Sequence, residues 1–241
     1  MILNLLLLGH ILSDFYLQND TTIDIKSSEK ISFLNFYKTE IFKHAVVYIF
    51  LSSLILTIYS SENLIDYCVL FLAFISHGFI DYLKIKFLNK YEGYKKQIFL
   101  LDQGIHILIL FLLSEYISMN FTSLSWITLD NTYLSYIIVL LLIGKTANVI
   151  FGILLNNYKP ENQEMNDGFK NVGGLIGIME RILIFMFLLT GNMGSIGFII
   201  AAKSVVRYKK LSDTQFAEYF LLGTFFSVLY TLLTYYLFYK L

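Results

Sequence analysis

Long apolar runs, almost free of charged residues, recur along the whole chain and constrain its fold more than any other feature. With a mean hydropathy of +0.64, these runs make the chain too apolar for a soluble domain. Backbone groups inside a bilayer must be hydrogen-bonded within the protein, so only helices or closed barrels can cross it. The alternation of apolar and polar residues that is typical of barrel strands does not occur here. The sequence therefore predicts an all-α, polytopic integral membrane bundle.

Eight apolar segments form this predicted bundle. They cover residues 1–18, 41–60, 63–84, 98–118, 132–156, 172–190, 193–208 and 214–239. The links after the first, third, fifth and seventh segments hold most of the 18 lysines and arginines, whereas the other links hold none. Since basic links stay in the cytoplasm, this pattern predicts eight transmembrane helices with both termini outside. We expect one domain, 1–241, made of two four-helix halves, 1–118 and 132–241.

Ligand-type side chains recur at a spacing of four in the first half of the chain. Three such pairs are present: His10/Asp14, His77/Asp81 and Asp102/His106. A spacing of four places both members of a pair on one face of a helix. The remaining histidine, His44, opens the second segment. The pairs and His44 come from four segments and all fall toward the predicted cytoplasmic side.

These residues predict a metal centre inside the bundle. Imidazole and carboxylate ligands suit zinc, manganese or iron, and facing helices of a bundle are where such sites are built. The predicted ligands, for one or two divalent ions, are His10, Asp14, His44, His77, Asp81, Asp102 and His106. With no cysteine ligand, a site with open coordination positions is favoured, where a metal-bound water attacks an ester, amide or phosphate.

Roles within this predicted site differ by residue type. The candidate catalytic residues are Asp14, Asp81 and Asp102, and Gln18 and Gln103 are expected to orient ligands or substrate. Two simpler interpretations stay open. In the first, each His/Asp pair serves only to satisfy its own hydrogen bonds. In the second, His44 is an interfacial residue. Against them, ionisable groups inside a membrane are costly, about 2.5–3.5 kcal/mol each, and are functional by default.

A second polar set lies in the other half of the chain. Arg181 and Lys203 are candidates for holding an anionic group, with Glu180 beside them. The alternative is that these charges only pair with one another to hold the helices together. The formal net charge of zero gives no support to a nucleic-acid partner. The single cysteine, Cys68, excludes an internal disulfide.

Several motifs together resemble one known family. They are Gly9-His10-Ile11-Leu12-Ser13-Asp14-Phe15-Tyr16-Leu17-Gln18, His44, His77-Gly78-Phe79-Ile80-Asp81, Leu100-Leu101-Asp102-Gln103-Gly104-Ile105-His106, Glu180-Arg181, residues 197–204 and residues 216–220. With these motifs, which span nearly the whole chain, the sequence resembles the bacterial multi-pass membrane proteins called domain of unknown function 3307. Ser13 stands where such sequences have glycine, which changes packing more than chemistry. The resemblance implies the membrane topology and these site residues, and it implies no activity.

The leading hypothesis is a metal-dependent enzyme of the bacterial cytoplasmic membrane, a hydrolase acting on a lipid-linked or membrane-embedded substrate. The closest rival is a divalent-metal or proton-coupled transporter, because HxxxD pairs also hold ions in carriers. Polar groups gathered on the inner side favour the enzyme, since a carrier needs a route to both faces. A third hypothesis is a non-catalytic sensor or scaffold whose lysine-rich inner loops dock a soluble protein or anionic lipid.

Overall fold

The computed structural model describes residues 1–17, 40–124, 130–160 and 172–240. The helices are α1 (Ile2–Ile11), α2 (Glu40–Ser53), α3 (Leu64–Lys90), α4 (Lys95–Asn120), α5 (Asn131–Leu141), α6 (Ala147–Leu155), α7 (Val172–Leu189), α8 (Met193–Val206) and α9 (Thr214–Tyr235). π-helical turns follow α1, α5 and α9, at Leu12–Tyr16, Leu142–Thr146 and Tyr236–Lys240. Short 3-10 turns cover Leu54–Thr57, Glu92–Tyr94, Asn156–Tyr158 and Tyr208–Ser212. Two strands, β1 (Tyr59–Ser60) and β2 (Thr122–Ser123), complete the described elements.

Every predicted apolar segment is helical, and the chain is a helical membrane protein. Five helical stretches are long and apolar enough to cross a membrane: Leu64–Lys90, Lys95–Asn120, Asn131–Tyr158, Val172–Leu189 and Thr214–Tyr239. Three shorter apolar ones, Ile2–Tyr16, Phe42–Thr57 and Met193–Val206, occupy the other predicted segments. Large apolar side chains such as Phe71, Leu72 and Phe79 point outward from α3, as a lipid-facing surface requires. The count of eight spans and the outside location of both termini stay predictions.

The contacts divide the chain into two compact units, Met1–Leu134 and Ser135–Leu241. In the first unit, α1, α2, α3 and α4 each pack against the next, and α4 packs against α1, which closes a four-helix ring. Its interior is apolar over much of its length, with Leu6, Leu70, Leu110 and Ile117 almost fully buried. The expectation of a single domain stays a prediction.

One end of the first unit is tied together by backbone and side-chain hydrogen bonds. Strands β1 and β2 pair antiparallel, with Tyr59 opposite Ser123, and so join the links that follow α2 and α4. Near the start of α3, the buried Asp66 carboxylate accepts hydrogen bonds from Ser61 Oγ (2.5 Å) and from Tyr116 Oη of α4 (2.7 Å). These bonds satisfy a buried acid and fix the relative height of α3 and α4.

α5 and α6 form one interrupted helix, and its break lies in the second unit. Gly144 leaves the helical conformation at φ −77° and ψ −125°, inside the π-helical turn. The break frees carbonyl groups, and buried Arg181 of α7 donates to Ile143 O (2.5 Å), Gly144 O (3.2 Å) and Asn148 Oδ1 (2.7 Å). A buried guanidinium therefore replaces the backbone hydrogen bonds that the kink loses.

The last long helix, α9, starts where the sequence predicts. The pattern Ser212-Asp213-Thr214-Gln215 indicates a helix start at this point, and α9 begins at Thr214. The capping residue is Asp213, whose Oδ1 accepts a hydrogen bond from Phe216 N at 3.1 Å. The carboxylate also complements the positive end of the helix dipole.

Candidate metal centre

Four helices of the first unit supply the predicted ligands. His10 lies in the last turn of α1, and Asp14 lies in the π-helical turn that follows it. His44 comes from α2, His77 and Asp81 from α3, and Asp102 and His106 from α4. All seven side chains are 7% exposed or less. The spacing of four turns each pair inward, so the sequence-predicted ligands do meet in one cluster.

Four ligand atoms lie especially close together: Asp14 Oδ1, His44 Nε2, His77 Nε2 and Asp81 Oδ2. His44 Nε2 is 3.1 Å from His77 Nε2 and 3.2 Å from each of the two carboxylate oxygens. His77 Nε2 is 3.4 Å from Asp14 Oδ1 and 3.5 Å from Asp81 Oδ2. We call these four atoms the inner ligand set.

Five of the six separations in this set are those expected between ligands of one metal ion. An ion about 2.0–2.1 Å from four tetrahedral ligands holds any two of them about 3.3–3.4 Å apart. Five of the six distances within the inner ligand set run from 3.1 to 3.5 Å. Two imidazoles and two carboxylates also form a donor set that zinc, manganese or iron accepts.

The remaining histidines and Asp102 surround the inner ligand set. The His106 ring centroid is 4.3 Å from that of His77 and 5.2 Å from that of His10. Within the described residues, both ring nitrogens of His106 are buried without a hydrogen-bond partner. Buried polar atoms of this kind are rare unless an ion, a water molecule or a ligand satisfies them. His106, Asp81 and Asp102 are also close enough together to form a separate group of ligands.

Gln103 joins the two parts of the cluster, as expected for a residue that orients ligands. Its Oε1 lies 3.4 Å from His10 Nε2, and its Nε2 donates to Asp102 Oδ2 at 3.1 Å and approaches Asp14 Oδ2 at 3.5 Å. The other predicted orienting residue, Gln18, lies outside the described residues. Amide contacts of this kind fix the orientation of carboxylate and imidazole ligands.

Lys84, the last residue of the third predicted segment, also belongs to this cluster. Its Nζ lies 2.5 Å from Asp102 Oδ2 and 3.9 Å from Asp81 Oδ1, and its side chain is 23% exposed. With neutral imidazoles, three buried carboxylates and one ammonium leave two negative charges, which one divalent ion cancels. Because Lys84 neutralises Asp102, the arrangement favours one ion over two. Lys84 lies seven residues, or two helical turns, after His77. This spacing could have predicted that the two side chains share one face of α3.

Tyr48 is a second residue that sequence reasoning missed. Its ring stacks on His77, with centroids 3.7 Å apart and planes 14° from parallel. The stacking holds the imidazole at a fixed angle and covers its face with apolar surface. Tyr48 lies four residues after His44 on α2. The spacing that identified the His/Asp pairs would therefore have identified this tyrosine too.

A close approach between α2 and α3 sets the distance between His44 and His77. A Cβ atom placed on Gly78 would lie 2.9 Å from Ala45 Cβ, which is closer than two carbon atoms normally approach. The residues neighbouring this contact, His44 and His77, carry the two histidine atoms of the inner ligand set. Only a residue without a side chain lets the two backbones approach this closely.

Gly78→Ala is therefore expected to lower the free energy of unfolding by about 1–3 kcal/mol, because it forces the helices apart. Gly104→Ala is the matched control, since a Cβ there meets nothing within 4 Å. Alanine favours a helix over glycine, so the control should be unchanged or more stable. Chemical denaturation in detergent measures both. Equal effects in the two variants would rule out the close approach as the cause.

The remaining predicted site residues lie in the second unit. Lys203 Nζ is 2.7 Å from Glu180 Oε2, which is the ion pair that the alternative interpretation expects. Arg181 holds the kinked helix, as described above. All three residues nevertheless line one large cleft of the second unit.

Comparison with protein families identifies the first part of the chain. Residues 2–148 match the family described as protein of unknown function (DUF3307), and this range contains the whole His/Asp cluster. Comparison with curated proteins and with solved structures finds no significant match. The matched range covers more than half of the 241 residues, so the chain belongs to the DUF3307 family.

Proposed function

We propose that this protein is a metal-dependent hydrolase of the bacterial cytoplasmic membrane, with one divalent ion bound by Asp14, His44, His77 and Asp81. The observation that carries the proposal is the set of five distances, 3.1–3.5 Å, among one ligand atom from each of these residues. Hydrogen-bonded His/Asp pairs that satisfy only themselves have no reason to converge from three helical segments on one point. An ion at the centre removes the repulsion between the carboxylates and satisfies both imidazoles.

The bound ion would supply an activated water molecule near neutral pH. His106 is the candidate general base, because it lies beside His77 and neither of its ring nitrogens makes a hydrogen bond to a described residue. Lys84 is a candidate for stabilising negative charge on the reacting group. Asp102 holds the Lys84 ammonium in place.

The position of the cluster supports the proposed substrate class. The ligands are buried between helices of a membrane protein, and the partly exposed polar residues beside them are Lys84 and Gln103. These residues fall on the predicted cytoplasmic side of the bundle. A lipid-linked or membrane-embedded ester, amide or phosphate can reach this depth without crossing the whole bilayer.

Metal content and lipid hydrolysis test the proposal together. Protein purified in detergent without chelator is expected to carry about one divalent ion per chain by elemental analysis. Incubated with a bacterial lipid extract, the metal-loaded wild type should release products that mass spectrometry detects, and His106→Ala should release about 100-fold less. Absence of a stoichiometric ion contradicts the metal centre. Full metal content with no product from the wild type contradicts the hydrolase, and equal product from wild type and His106→Ala contradicts the role of His106.

A divalent-metal transporter is the second candidate, and one observation favours it. The inner ligand set already provides four protein ligands, whereas catalytic zinc sites keep a position open for water. Proteoliposomes loaded with a metal-sensitive dye decide between the two. Uptake of zinc or manganese that Asp81→Asn abolishes would favour the transporter over the hydrolase.

A further inference from the structure

The second unit contains a cleft of about 830 Å³ that the metal-centre proposal does not use. Its lining residues come from the ends of α6 and α8 and from the beginnings of α7 and α9. Its volume is within the range of about 300–1,000 Å³ that is usual for sites of small molecules and lipids. The basic links at this end, with Lys159 and Arg207, place it on the predicted cytoplasmic side.

Positive charge predominates among the polar side chains of the cleft. Its basic lining residues are Lys159, Arg181, Lys203 and Arg207, and its acidic lining residue is Glu180. Glu180 is paired with Lys203, so it does not offset the other cations. Among the described residues, no carboxylate lies within ion-pair distance of Lys159 or Arg207.

Most of the remaining lining is apolar. Phe151, Phe198 and Phe220 form part of the wall, and Phe198 is 74% exposed. Lys203 Nζ lies 5.2 Å from the centre of the Phe220 ring, so a cation and an aromatic surface meet inside the cleft. Apolar walls that carry cations beside them suit a molecule with a negative head and a hydrocarbon tail.

Small residues keep the cleft open on the α7 side. Gly173 lines the cleft and has nothing within 4 Å of the position of a Cβ atom, so there is room there for a side chain. Gly177 lets Arg181 lie against its own helix, since a Cβ there would be 3.1 Å from Arg181 Nη1. Asn148 bridges this wall, because its Nδ2 donates to Gly174 O at 3.1 Å.

From this combination we infer that the cleft binds an anionic membrane phospholipid, with its phosphate near Arg207 and Lys159 and an acyl chain along Phe198 and Phe220. The cations are at the height where the head groups of the inner leaflet are expected, and the apolar wall continues toward the bilayer core. Basic clusters of this kind between helices on the cytoplasmic side are suited to acidic head groups. The inference does not depend on the metal centre, which belongs to the other unit.

Binding of short-chain phosphatidylglycerol to the full-length protein in detergent tests this site. Lys159→Gln/Arg207→Gln is expected to weaken the binding about 25-fold, from about fivefold for each basic residue. The matched control is Lys209→Gln/Lys210→Gln, which removes the same charge from the neighbouring turn outside the cleft and should change the affinity less than twofold. Short-chain phosphatidylcholine should bind at least tenfold more weakly than phosphatidylglycerol.

A second variant tests the cleft without changing any charge. Gly173→Leu fills the cleft from its wall and places a better helix former in α7, so the protein should fold and lose phosphatidylglycerol binding. Equal binding of the two lipids, an equal loss in the control, or full binding by Gly173→Leu would overturn the inference. Inorganic phosphate that binds as tightly as the lipid would also overturn it, because the ligand would then be a soluble anion.

Discussion

If the first unit binds the proposed ion, His77→Ala is expected to remove it. His77 Nε2 belongs to the inner ligand set, and the residue is shared by two of the three groups of side chains that are close enough to hold a metal. Structural zinc sites with four protein ligands bind with about 10–16 kcal/mol. The loss of one ligand should therefore weaken binding by about 100-fold or more, and the purified variant should contain little metal by elemental analysis.

His106→Ala is the matched control for this experiment. Both histidines are buried to the same degree, at 2% and 3% exposed, and both come from long helices of the same unit. His106 lies outside the inner ligand set, so its removal should leave about one ion per chain. An equal loss of metal from the two variants would place the ion elsewhere in the cluster. Unchanged metal in both would contradict binding at the inner ligand set.

Most of the architecture could be predicted from the sequence because a membrane imposes strong rules. A helix that crosses a bilayer needs a long run of apolar residues, and such runs are visible without any tertiary information. The helices that contain His10, His77 and Asp102 were found in this way, and a spacing of four then placed their partners on the same face. Convergence of these faces follows from the cost of exposing ionisable groups to lipid.

Other features depend on tertiary contacts that no spacing rule contains. Two roles were predicted for Arg181, as an anion ligand or an ion-pair partner, but a kink at Gly144 instead directs it to backbone carbonyls. The 3.7 Å stacking of Tyr48 on His77 depends on how closely α2 approaches α3. Lys84 ends the third predicted segment, where a lysine is expected to mark the cytoplasmic end of a span. Its role beside Asp102 depends on the register between α3 and α4.

Lys84→Met is expected to lower the free energy of unfolding of the metal-free protein by about 3 kcal/mol. Removing one member of a buried ion pair costs about 3–5 kcal/mol, and the partial exposure of Lys84 favours the lower end of this range. In this variant, neither the Lys84 ammonium nor a metal ion offsets the charge of the three buried carboxylates. Denaturation in detergent after chelator treatment measures the loss without a contribution from bound ions.

Two comparisons separate the loss of charge from the loss of a long side chain. Lys84→Met/Asp102→Asn should recover most of the stability, because it removes the carboxylate that Lys84 contacts at 2.5 Å. Lys203→Met makes the same substitution at a lysine of similar exposure, 21% against 23%, that is paired to a single carboxylate. Its effect should be smaller, because Glu180 is itself more exposed than Asp102 and water can solvate it. If Lys84→Met unfolds at the same denaturant concentration as Lys203→Met, Lys84 does not offset the cluster, and a second ion becomes the better explanation for its three acids.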